Sequence, residues 1–129
     1  MIVADTNVWA RAYLNDDAVQ ASKARKALAE ARGGGGVFVP LIVLAELAWV
    51  LRAKWTADRV LSTLEALLQT GGVAVEEANI AQAALEATRA GNGGFADHLI
   101  ALTGFAHGGT EIITFDEKFG KTAKVRLLN

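Results

Sequence analysis

The sequence predicts an α/β domain: a parallel sheet of about five strands flanked by helices on both faces. Three observations predict it. Short apolar runs, "MIVA", "VFV", "VAV", "EIIT" and "KVRLL", recur along the chain and are too brief for helices. Longer stretches with apolar residues at helical spacing separate them. Strand and helix patterns in alternation are the mark of crossover units, whose strands run parallel. A chain of 129 residues without a cysteine has the size of one self-sufficient core, so residues 1–129 are expected to form a single domain.

Ile2 to Ala4 reads as a buried strand that ends at the turn Asp5-Thr6-Asn7. "NVWARAYL" and "DDAVQASKARKALAEA" follow as two helices, the second capped by Asp16 or Asp17 and stopped by Gly33 to Gly36. After the strand "VFV", Pro40 stands where a first helical turn accepts proline, and "LIVLAELAWVLRAK" continues as an apolar helix. "TADRVLSTLEALLQT" is capped by Thr56 and closed by Gly71-Gly72. "VAV" is the third strand. "EEANIAQAALEATRA" is amphipathic, whereas "GFADHLIALTGFAHGG" is apolar almost all round and is expected to be buried. "EIIT" and "KVRLL" complete the sheet.

Composition narrows the function classes. Thirteen basic against 14 acidic residues leave no long-range basic field, so any nucleic-acid contact must be local. The absence of cysteine excludes disulfides, thiolate zinc sites and cysteine nucleophiles, and two histidines are too few for a histidine-rich metal site. The chain starts on a strand pattern instead of a targeting segment, and its longest apolar run, Val37 to Leu51, is broken by Glu46 and falls short of the roughly 20 residues of a membrane span. A cytoplasmic protein is expected.

Four acids stand in apolar company. Asp5 and Asp116 each follow a strand and therefore belong at the carboxyl edge of the sheet, where such folds bind ligands. Asp97 interrupts the apolar helix "GFADHLIAL" near its N-terminus. Glu46 shares a helical face with Ile42, Val43, Trp49, Val50 and Ala53 and is expected to point inward. An unpaired buried carboxylate costs several kcal/mol. Four converging acids require a cation, and hard oxygen donors select magnesium or manganese over zinc. Such a site suits phosphate chemistry. Taken singly, Asp5 serves equally as a turn cap, Asp116 as the cap of "EKF", and Asp97 as an ordinary first-turn acid.

"VADTNVWARAYL", "LAELAWVLR", "GFADHLIAL" and "IITFDEKF", in this order over essentially the whole chain, resemble the PIN-domain ribonucleases, in particular the VapC-type toxins of toxin–antitoxin pairs. The resemblance implies an endonuclease that cuts RNA with magnesium or manganese. Asp5, Glu46, Asp97 and Asp116 would form its acidic quartet, Thr114 would position a water or phosphate, and Asn7 would support Asp5. It also implies a homodimer and a cognate antitoxin protein.

Local cations available to RNA are Arg11, Lys118, Lys121, Lys124 and Arg126, against which stands the plain reading of solvated surface. His98 is expected as a satisfied core histidine, His107 as a helix terminator, and Trp9, Trp49 and Trp55 as core or dimer anchors. A magnesium phosphatase or phosphoryl-switch domain is the competing enzyme class. It wants a second aspartate beside the first, where "DTN" offers only one. A catalytically dead PIN-like binding module is the other competitor, against which all four acids being present argues.

Overall fold

A computed structural model describes residues 1–129, which form two compact units, Met1–Ala78 and Asn79–Asn129. In the first, β1 (Ile2–Val3), β2 (Val37–Val39) and β3 (Val73–Val75) make a parallel sheet in the order β1-β2-β3. Its helices are α1 (Thr6–Leu14), α2 (Ala18–Gly33), α3 (Leu41–Arg52) and α4 (Ala57–Leu68). Helix starts follow local chemistry. Asp5 caps α1 by accepting from Thr6 N–H, Asp17 caps α2 by accepting from Gln20 N–H, and Thr56 caps α4 by accepting from Arg59 N–H. Pro40 has no side chain to offer α3, and the free N–H of Leu41 is taken instead by Glu76 at the end of β3, 2.8 Å away.

The core of this unit sits on the central strand. Val37 and Val39 are fully buried, with Leu44, Leu47 and Leu51 of α3 and Leu64 of α4. Helix α1 packs on α2 and α3, α3 on α4, α2 on β2 and α4 on β3. Trp9 is buried and stacks on Tyr13, which meets Trp55 edge-on, while Arg59 lies 3.8 Å over the Trp55 ring.

The second unit holds α5 (Ala78–Arg89), α6 (Phe95–Ala106), β4 (Ile112–Thr114), a 3₁₀ turn (Phe119–Lys121) and β5 (Val125–Leu127), with β4 and β5 parallel. Ala101, Phe119 and Val125 form its small core, extended by Phe105 and Ile112.

All five expected strands are present and every pairing is parallel, in the α/β arrangement that the alternation predicts. They are hydrogen-bonded in two pieces, three strands and two. Other expectations need correction. The buried first strand is an edge strand bonded on one side only, and Ile2 and Val3 are exposed while Ala4 is buried. Helix α6 is buried on one side only, through Phe95, His98, Leu99 and Ala101, with Ile100 exposed. Glu76 and Glu77 lie before α5, because Glu77 adopts a left-handed turn at φ 46°.

Candidate functional site

In the first unit, Asp5 and Glu46 are joined through Thr6. The backbone N–H of Thr6 donates to Asp5 Oδ1 at 2.8 Å, and its hydroxyl donates to Glu46 Oε1, also at 2.8 Å. Thr6 itself is buried. A single residue therefore fixes both carboxylates, one through the main chain at the start of α1 and one through the side chain across to α3. Glu46 corrects the sequence expectation: it is exposed, and so are its face neighbours Ile42 and Trp49. The core of α3 is the stripe Val43, Leu44, Leu47, Ala48 and Leu51 on the other side. Asn7 is exposed in the first turn of α1, where Thr6, and not Asn7, supplies the hydrogen bond to Asp5.

In the second unit, Asp97 is the third residue of α6, and its Oδ2 accepts from Gly94 N–H at 2.9 Å. This is half of a capping box, since glycine has no side chain to return the bond. The loop before it is pinned at Asn92, whose carbonyl lies 3.1 Å from His98 Nε2 and 3.0 Å from the Thr122 hydroxyl. With a carbonyl as partner, Nε2 carries the proton. His98 is buried and meets Phe119 edge-on, the satisfied core histidine that was expected. His107 caps the end of α6, its Nδ1 2.9 Å from the Thr103 carbonyl.

Asp116 stands after β4. Its Oδ1 accepts from Phe119 N–H at 2.8 Å, and its own N–H donates to Thr114 Oγ1 at 3.0 Å. Thr114 thus orients the loop that carries Asp116. Gly93 also belongs to this corner, at φ 112°. A Cβ there would lie 2.9 Å from the Phe119 ring and 3.4 Å from Asp97 Oδ2.

The acids share one feature. Each uses one carboxylate oxygen for a hydrogen bond, to Thr6, Thr6, Gly94 or Phe119, and keeps the other free of hydrogen bonds. Free carboxylate oxygens on pre-oriented side chains are the hard donors that magnesium or manganese takes, so the donor set fits such an ion. No three acidic or histidine side chains gather into a group that could hold a metal ion; Asp5 and Glu46 lie in the first unit, Asp97 and Asp116 in the second. Of the candidate RNA cations, Arg11 is paired with Asp16 at 2.9 Å and Arg126 with Glu111 at 2.8 Å, and Lys124 lies over the Phe105 ring. No helix is long and apolar enough to cross a membrane.

Sequence reasoning missed Thr6. A hydroxyl between Asp5 and the helix it begins was visible in "DTN", but its reach to Glu46, 40 residues away, depends on how α1 packs on α3.

Among solved structures, the chain is similar to that of Mycobacterium tuberculosis VapC20, described as a sarcin-ricin loop cleaving toxin, at 20% identity over 98% of each chain, with a TM-score of 0.48. No curated protein matches it. The model of the PIN domain family matches residues 2–125, nearly the whole length. The chain belongs to the PIN domain family.

Proposed function

We propose that this protein is a metal-dependent endoribonuclease, the toxin of a toxin–antitoxin pair, acting in the cytoplasm as a homodimer and held in check by a cognate antitoxin protein. The observation that carries the proposal is the set of four exposed or half-buried carboxylates, each oriented by one oxygen and free at the other, in a chain whose family match spans all four. Asp5, Glu46, Asp97 and Asp116 would hold magnesium or manganese. The bound ion supplies an activated water and charge neutralisation at the phosphate.

The chain's own residues do the rest. Thr6 orients one oxygen of Asp5 and one of Glu46, which reduces the side-chain ordering left for the moment of reaction. Asp97 is held at a helix N-terminus, its Oδ2 accepting from Gly94 N–H at 2.9 Å. Thr114 fixes the Asp116 loop through its N–H and has a further hydroxyl lone pair and proton for a water or phosphate oxygen.

The deciding experiment is cleavage of a fluorogenic single-stranded RNA, and of total tRNA, with manganese, magnesium or EDTA. Wild type is compared with Asp5→Asn and Asp97→Asn. The proposal expects cutting that needs the metal and falls at least about 100-fold in both folded variants. Cutting in EDTA, or cutting that survives both substitutions, would sink it.

A further inference from the structure

We infer that the groove between α1 and α3 is a track for a single RNA strand, in which Trp49 is the platform for an unpaired base and Lys54 the cation for the neighbouring phosphate. The inference rests on the ribonuclease proposal and adds to it how substrate is held.

Trp49 is 81% exposed, more than any other large apolar side chain of the protein. A tryptophan normally buries about 150–250 Å² of surface, so one kept in water on a rigid helix face marks a place for a flat apolar partner. Exposure does not choose that partner; the rest of the groove does. It is an open space of about 520 Å³ whose lining includes Asp5, Arg11, Asp16, Trp49 and Lys54, all within the first unit.

Its charges are graded along its length. Asp5 lies where α1 begins, beside the Thr6–Glu46 bond. Arg11 is five residues further along the helix than Thr6, about 8 Å at the α-helical rise. There Arg11 bonds Asp16 and holds its carboxyl below the usual carboxylate range, so these two charges satisfy each other. Lys54 makes no direct ion pair, and although its charge adds a smaller part to holding Asp16 low, its ammonium keeps its donors for a phosphate. An acid that would bind metal, a cation and an exposed aromatic face line one groove, the three kinds of group that a nucleotide's phosphates and base call for.

An apolar helix face laid into the same groove would take Asp5 and Lys54 out of water together with Trp49 and offer them no partner, which is costly. A nucleotide meets every group at once. Stacking also needs no particular base, so Trp49 would grip the strand while leaving the choice of sequence to other contacts.

The test is anisotropy of a short fluorescein-labelled single-stranded RNA of mixed sequence, read in EDTA so that nothing is cut. Trp49→Ala is expected to weaken binding about 5- to 150-fold, the range that base–aromatic stacking gives on alanine substitution. Trp49→Phe should keep most of it, and an RNA with the stacked base removed should bind wild type and Trp49→Ala alike. Lys54→Ala should lower the slope of log affinity against log salt by about one, with Lys54→Arg restoring it. Unchanged affinity in Trp49→Ala overturns the inference, as does absence of binding by wild type. So does loss of self-association in Trp49→Ala, by light scattering, with RNA affinity intact, which would make Trp49 an anchor between copies of this chain. Metal-dependent cutting that survives Trp49→Ala at full rate removes the track and leaves the nuclease. Trp49-dependent binding without any cutting supports the track and removes the nuclease.

Discussion

Thr6→Val separates the structural from the functional work of one hydroxyl. The substitution keeps the shape of a buried side chain and removes the proton that Thr6 donates to Glu46 Oε1 at 2.8 Å. A hydrogen bond to a charged group contributes about 1.5–3 kcal/mol when buried. Glu46 is exposed, so water replaces the lost donor, and valine leaves no polar atom stranded. The cost to stability should therefore be about 1 kcal/mol, a fall in Tm of about 3–5 °C for a chain of this size. The Asp5 bond survives, because it comes from the backbone N–H. Glu46, freed to sample other rotamers, should lower kcat on RNA about 10-fold and weaken manganese binding in proportion. Thr6→Ser reverses the pattern: the hydroxyl stays, a buried methyl goes, and Tm falls by a similar amount while kcat holds. Calorimetry and single-turnover cleavage on the three proteins check this. Full activity in Thr6→Val, or equal loss of activity in both variants, would refute the positioning role.

Other outcomes follow from the same geometry. Gly93→Ala adds a Cβ 2.9 Å from the Phe119 ring at φ 112°, and a strained backbone position costs on the order of 1–3 kcal/mol; an unchanged thermal midpoint would contradict it. Leu47→Ala, at a fully buried position of α3, should destabilise by about 2–5 kcal/mol in a denaturant titration. Manganese at about a hundred times its Kd should stabilise wild type by about 2.7 kcal/mol and leave Asp5→Asn and Asp97→Asn unchanged, as read by thermal shift. The Arg126 guanidinium bonded to Glu111 holds that carboxyl below its ordinary value. Its stabilising effect is thus present above the ordinary glutamate pKa and lost as pH falls through the lower, folded-state value. A carboxyl NMR titration should give a depressed midpoint for Glu111 that returns to normal in Arg126→Gln.

The caps, the strands and the helix order were legible because their signals are local: a side-chain acceptor before a helix, a glycine after it, a run of valines between. Thr56 caps the helix it was expected to cap, Asp17 is the one of the two expected candidates, Asp16 and Asp17, that caps its own, and "VFV" and "VAV" are strands to the residue. Glu46 shows where locality ends. A helical wheel says which residues share a face, and Glu46 does share one with Ile42 and Trp49. It does not say which face meets the core, and on α3, apolar on both sides, hydrophobicity could not choose. The core took the leucine stripe, and Ile42, Glu46 and Trp49 were left outside. Phe119 was invisible for a related reason: "EKFGK" has no helical period, yet its single turn carries the ring that packs the second unit's core.

That error changes the physical argument about the acids without removing it. Buried carboxylates would have required a cation for the chain to fold. Exposed ones do not, since water and salt screen them, and the caps they make at Thr6, Gly94 and Phe119 stabilise the fold without metal. Glu46 alone departs from this pattern. An Asp or Glu needed only as a cap is free to use either oxygen, and Glu46 caps nothing: its bond comes from the hydroxyl of a buried threonine on another helix. Burying a threonine to orient an exposed glutamate spends a core position on a surface group. A valine there would cost the structure only about 1 kcal/mol. Under the proposed metal site the threonine has a purpose, since there the second oxygen of Glu46 would have to point in one direction, toward a cation beside Asp5.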